Sequence, residues 1–167
     1  MAKKTNMLRK IQIEDAVLAF KNFSGREGEY NPAGQRTFCV FLDTDVGERL
    51  KGDGWNIRYL DPKDPEDAPQ AYLQVKVNFA NYPPKVVAVT SGSKTILLED
   101  EVSILDWAEL ERVDLQIRPY DWNIGGKSGI AAYLHVMYAV IEEDPFEAKY
   151  NGVPDSAFNT MPDDEVE

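Results

Sequence analysis

Gly126-Lys127-Ser128 has the residue types that close a phosphate-binding loop. In such a loop a glycine five positions earlier lets successive backbone N–H groups wrap the phosphates, and the serine leads into a helix whose first turn completes the anion site. The position five before Gly126 is Asp121, a carboxylate that repels phosphate. The flanks also argue against the loop. Residues 113–117 alternate apolar and polar with period two, as a half-buried strand does. Tyr133, Val136, Tyr138, Val140 and Ile141 suit a strand too, although Ala131, Ala132, Leu134 and Met137 would tolerate a helix. The run 123–129 (NIGGKSG) is expected to be the glycine-rich loop of a β-hairpin.

Little else is arranged for covalent chemistry. His135 is the single histidine and sits mid-strand among apolar residues, where packing is the ordinary role. Ser128 has no evident triad partner. Glu99-Asp100-Glu101 clusters oxygens that suit a divalent ion, but without EF-hand spacing. Nothing in the sequence brings Asp106 and Asp121 together as an acid/base pair. No enzyme activity, cofactor or metal is expected.

Binding has more support. Single-stranded nucleic acid is held by cations that track phosphates and by aromatic faces on which bases stack, each stack worth about 1–3 kcal/mol. Here the two types interleave: Lys21 with Phe20 and Phe23, Arg36 with Phe38, Trp55 with Arg58 and Tyr59, Tyr72 with Lys76, Arg118 with Tyr120 and Trp122, and Lys127 with Tyr133. In 72–79 one face reads Tyr72, Gln74, Lys76, Asn78 and the other Leu73, Val75, Val77, Phe79, so period two separates a ligand face from a core face. Aromatics are also ordinary strand and core residues, so the argument rests on the repetition of the pattern.

The elements that must carry these residues are short strands. They are expected at 17–23, 36–42, 55–60, 72–79, 85–90 and in the two arms of the hairpin, with a short helix at 45–51 and a helical turn within 99–111. Runs 24–35 and 61–70 read as connections, and 91–94 as a turn. At 167 residues the chain suits one domain, and the single Cys39 precludes an internal disulfide and fits a reducing cytoplasm. No apolar run approaches membrane-spanning length. The net charge of −11 opposes nucleic-acid binding when taken alone. It is unevenly spread: residues 142–167 hold nine acids and one lysine, leaving 20 acids and 17 bases in 1–141. The reading is a flexible basic N-terminus at 1–13, a β-domain at 14–150 and a flexible acidic tail at 151–167.

With these features the chain resembles the single-stranded DNA-binding proteins of tailed bacteriophages and prophages. The segments that carry the resemblance are NPAGQRTFCVFLD, GWNIRYLDPKD, AYLQVKVNF and EVSILDWAELERVDLQIRPYDWNIGGKSGIAAYLHVMY. It implies an all-β, OB-like five-stranded barrel with additional strands, cytoplasmic in the bacterial host. Its expected role is binding single-stranded DNA in replication or recombination. The tail acids Asp163, Asp164, Glu165 and Glu167 would contact replication or recombination proteins. On this reading Trp55, Tyr72, Trp122 and Tyr133 are the stacking candidates, Arg36, Arg58, Lys76, Arg118 and Lys127 the phosphate partners, and Tyr120 a further nucleic-acid-binding residue. The competing reading is a structural or protein-interaction β-domain, such as a virion component or adaptor, whose aromatics are core or interface.

Overall fold

The strict alternation at 70–77 becomes the central strand of the molecule, with Ala71, Leu73, Val75 and Val77 buried and Gln70, Tyr72, Gln74 and Lys76 turned outward. The structure is a computed structural model that describes residues 10–29, 31–80 and 82–142. In chain order its elements are β1 (Ile11–Ile13), β2 (Leu18–Asn22), β3 (Arg36–Leu42), α1 (Thr44–Gly52), β4 (Ile57–Leu60), β5 (Gln70–Val77), β6 (Lys85–Thr90), β7 (Ser93–Ile96), a 3-10 turn (Val102–Asp106), β8 (Leu110–Ile124) and β9 (Lys127–Ile141).

The pairing order β1-β8-β9-β5-β3-β2 begins and ends on consecutive segments of chain, so the sheet closes into a ring. At the seam the Ala16 N–H donates to the Val113 carbonyl at 2.7 Å, and the Phe41 N–H donates to the Val17 carbonyl at 3.0 Å. The walls are therefore the β1/β2 segment, β3, β5, β9 and β8, with β5 and β9 parallel and the other neighbours antiparallel. This ring is the expected barrel. β4 extends β5, and the β6–β7 hairpin extends β9.

The inward residues form one core. It includes Phe23, Phe38, Val40, Leu73, Val75, Ile117, Leu134 and Met137. α1 packs on β5 at Gly47, where a Cβ would lie 2.8 Å from that of Ala71, so the close approach requires glycine. Asp45 in the first turn and Arg49 and Lys51 in the last turn suit the helix dipole.

Three expectations need correcting. Ile11–Ile13, placed by its sequence in a flexible N-terminus, is a wall strand paired with Leu115–Ile117 of β8. Its two isoleucines are too short a run to show a period. β7 takes up the second half of the turn expected at 91–94, because its four residues are all exposed and no alternation marks them as a strand. The strand expected from Trp55 begins at Ile57. Trp55 instead follows the helix, its N–H donating to the Leu50 carbonyl at 3.0 Å.

Candidate nucleic-acid interface

β8 and β9 are each 15 residues long and run on past the ring as a two-stranded arm. They are joined by Gly125 and Gly126 at φ +58° and +81°. This is the left-handed geometry of a two-residue hairpin turn, which glycine adopts freely. Lys127 and Ser128 belong to β9 and pair with Ile124 and Asn123. No helix follows them, so the phosphate-loop likeness of Gly126-Lys127-Ser128 is a turn, as the spacing predicts.

Cross-strand register brings the outward residues into rows. Arg118 faces Tyr133 on β9, and Tyr133 faces Lys76 on β5. One step toward the tip, Tyr120 faces Ala131. Next come Trp122 and Gly129, then Ile124 and Lys127. Lys76, Arg118, Tyr120, Trp122, Lys127 and Tyr133 thus share one side of the sheet. Their contacts are direct. The Arg118 guanidinium carbon lies 5.2 Å from the Tyr133 ring centre and 5.0 Å from that of Tyr82. Lys76 Nζ lies 6.0 Å from the Tyr133 ring. Tyr120 meets Tyr133 edge to face at 5.9 Å. Each cation–ring contact is worth roughly 0.5–1 kcal/mol at an exposed site. Trp122 lies against Gly129, where a Cβ would come within 2.9 Å of the indole.

The face continues along β5. From Lys76 to Tyr72 is four residues, about 13 Å of strand. There Arg58 of β4 pairs with Tyr72 across the ladder, and the Phe20 ring meets Tyr72 at 6.1 Å. Phe20 sits at a bulge in β2 with φ +52° and is 61% exposed. A phenylalanine in the left-handed region is a strained residue, here turned out to solvent.

Two candidates are placed differently. Trp55 is 5% exposed and bridges Ile130 inside the core, so its ring offers no face to a base. It is a core residue, fixed by the chain folding back from the helix end. Arg36 opens β3 with its Nη1 3.0 Å from Glu99 Oε2. It does not share the outward rows but lines a cavity of about 380 Å³ with Lys76 and Tyr133. One residue escapes the sequence reading, and one that it pairs with Lys21 takes an unexpected place. Tyr82, 71% exposed over Arg118, lies in an Asn-Tyr-Pro-Pro run that has no period to orient it. Phe20 is turned outward by a bulge that breaks strand parity.

The remaining polar candidates serve structure. Asp106 accepts the backbone N–H groups of Phe23 and Ser24 at 2.8 and 3.0 Å, so both its oxygens are engaged far from any acid/base role. Glu101 accepts the Leu98 N–H. Among the described residues, no group of three or more His, Cys, Asp or Glu is placed to hold a metal ion. His135 is half-buried with Lys10 Nζ 3.1 Å from its Nε2. Burial, Lys10 and Arg118, in that order, hold its pKa below the ordinary value. Burial pushes the Cys39 thiol up to about 11, against a smaller opposing pull from Arg58, so it stays protonated at neutral pH. Asp163, Asp164, Glu165 and Glu167 lie outside the described residues, as do 1–9 and 143–150. Among the described residues no helix is long and apolar enough to cross a membrane.

No curated protein matches the chain. Among solved structures, the single-stranded DNA-binding protein from bacteriophage Enc34 in complex with ssDNA superposes with a TM-score of 0.54 at 12% identity, covering 82% of this chain and 89% of that one. A second structure of the Enc34 protein gives 0.52 at 14% identity, over 90% and 89%. At such identities the likeness is one of fold, and the shared fold is the OB-like barrel described above. A family model described as "Putative phage ssDNA-binding domain" matches residues 1–165. Nearly the whole chain falls within that match, ring and arm included, and the chain belongs to the phage single-stranded-DNA-binding domain family.

Proposed function

We propose that the chain holds single-stranded DNA along the outward face that runs from Arg58 and Tyr72, past Gln74 to the Lys76–Tyr133–Arg118 row, and out along Tyr120 and Trp122 to Lys127. Bases stack on the rings, and the cations neutralise phosphates. The protein acts by binding, with no chemical step, in phage DNA replication or recombination. The observation that carries this reading is the register that aligns Lys76, Tyr133 and Arg118 across three neighbouring strands. Rings and cations so interleaved suit a flexible strand whose bases are unstacked and poorly suit a duplex, whose π-faces are hidden. The Enc34 protein, which shares this fold, is known in complex with ssDNA. The acidic tail, with Asp163, Asp164, Glu165 and Glu167, competes for the same cations and recruits basic surfaces of replication or recombination proteins.

The test is anisotropy of a labelled single strand of about 30 nucleotides across a salt series, with a duplex of the same length in parallel. Binding should favour the single strand. Trp122→Ala should weaken it by about tenfold, the effect of one lost stack. Lys76→Ala should reduce the salt slope by about 0.7, the share of one phosphate contact. Equal affinity for duplex, or indifference to both substitutions, would remove this face from consideration.

A further inference from the structure

Among the described residues, Glu99 is the one carboxylate lining the cavity of about 380 Å³ that opens beside the Lys76–Tyr133 row. Arg36 and Lys76 are its cations, and Gln35 and Asn78 add amides. Glu99 approaches Arg36 through one contact, Oε2 to Nη1 at 3.0 Å. The pair is lopsided: the Arg36 side chain is 19% exposed, that of Glu99 59%. Arg36 is anchored at the first residue of β3, whereas Glu99 lies on the irregular segment after β7. Arg36 Nε is buried and, among the described residues, has no hydrogen-bond partner. A guanidinium presents a planar fork that suits a two-oxygen anion, whether carboxylate or phosphate. Here the fork is only partly used, and its partner is the more exposed member of the pair.

We propose that Glu99 stands in for a DNA phosphate. In the free protein its carboxylate holds and neutralises Arg36 at the mouth of the cavity. When a strand settles on Tyr133 and Lys76, a phosphodiester takes the Arg36 fork and Glu99 turns out to solvent. This subsite rests on the function proposed above and adds to it a phosphate position with a built-in competitor. A lone small anion must displace Glu99 unaided. A strand already stacked on the neighbouring rings presents its phosphate at high effective concentration. The device thus favours polymeric DNA over free phosphate and mononucleotides.

The test compares the full chain with Glu99→Gln, with Asp100→Asn, and with Arg36→Gln alone and combined with Glu99→Gln. Asp100→Asn makes the same charge change one residue away, at another exposed position. Affinity for a single strand of about 30 nucleotides is measured at low salt, where surface charge is least screened. Glu99→Gln should bind about two- to fivefold tighter, the scale of one exposed ion pair. Asp100→Asn should gain clearly less, and the Glu99→Gln gain should vanish in the Arg36→Gln background. Inorganic phosphate should compete with the strand more effectively in Glu99→Gln than in the parent. Equal gains from Glu99→Gln and Asp100→Asn, or a gain that survives without Arg36, would reduce the effect to net charge and overturn the proposal. Weaker binding by Glu99→Gln would overturn it too, making the pair a brace for the Arg36 side chain. A parent protein that binds no single strand at any salt concentration would instead bring down the proposed function itself.

Discussion

Gly129 sets the height of the Trp122 ring above β9 by lacking a side chain. With hydrogen in place of Cβ, the Trp122 indole lies down on β9; a methyl group there would sit 2.9 to 3.1 Å from three indole atoms. Gly129→Ala should lift the ring, shift its emission to the red and weaken single-strand binding about three- to tenfold, part of the value of a stack. Fluorescence and a DNA titration on the same sample check both effects, and a lifted ring with undiminished affinity would show that Trp122 carries no base. At this scale much of the candidate site was legible. Tyr72 and Lys76 keep strict parity in an uninterrupted strand, so alternation alone assigns them to a face, whereas Arg118, Tyr120 and Trp122 were legible by residue type and take their common side from the register with β9. Trp55 was not legible, because an aromatic after Asp53-Gly54 reads alike whether it opens a strand or plugs a core. Tyr82 escaped because it lies in a run without a period, and Phe20, named beside Lys21, was given no face because it sits on a bulge that reverses parity.

The seam of the ring depends on a short kink between β1 and β2. Asp15 turns there at φ +53°, and its N–H donates to Asp114 Oδ1 at 2.8 Å. Arg112 Nε meets the same carboxylate at 3.1 Å. The backbone N–H of Asp15, then Arg112, hold the Asp114 carboxyl below its ordinary value. A depressed carboxyl stabilises the fold above its unfolded pKa, about 4, and that contribution fades as pH falls through the folded value. Asp114→Asn should therefore lower the denaturation midpoint at pH 7 by an amount that shrinks at about pH 3. Urea unfolding at both pH values checks this, and an equal loss at both would assign the effect to geometry rather than charge. The ring's walls were legible where they are long, as in β3, β5, β8 and β9. The seam was not, because β1 is three residues and its partner is about a hundred positions away, a pairing that local pattern does not encode.

Across the whole molecule the charge is divided. The formal net charge is −11, and nine of the acids lie in 142–167. A chain truncated after Tyr150 should bind a single strand more tightly than the full chain at low salt, and the difference should close as salt rises and screens the tail. Titrations of both forms check this. Identical affinities at low salt would leave the tail without a role at the binding face. The tail was legible as composition alone, since a run of acids and prolines states its charge but not its partner.

The arm has one further consequence. Arg118, Tyr120 and Trp122 follow one another along β8 at two-residue intervals, about 7 Å apart. For DNA seated on them, the direction of pull decides the resistance. A motor that lifts the strand from the hairpin tip peels one contact at a time, whereas one that drags it lengthwise must shear all of them together. The same equilibrium affinity thus yields quick clearance in one direction and a brake in the other.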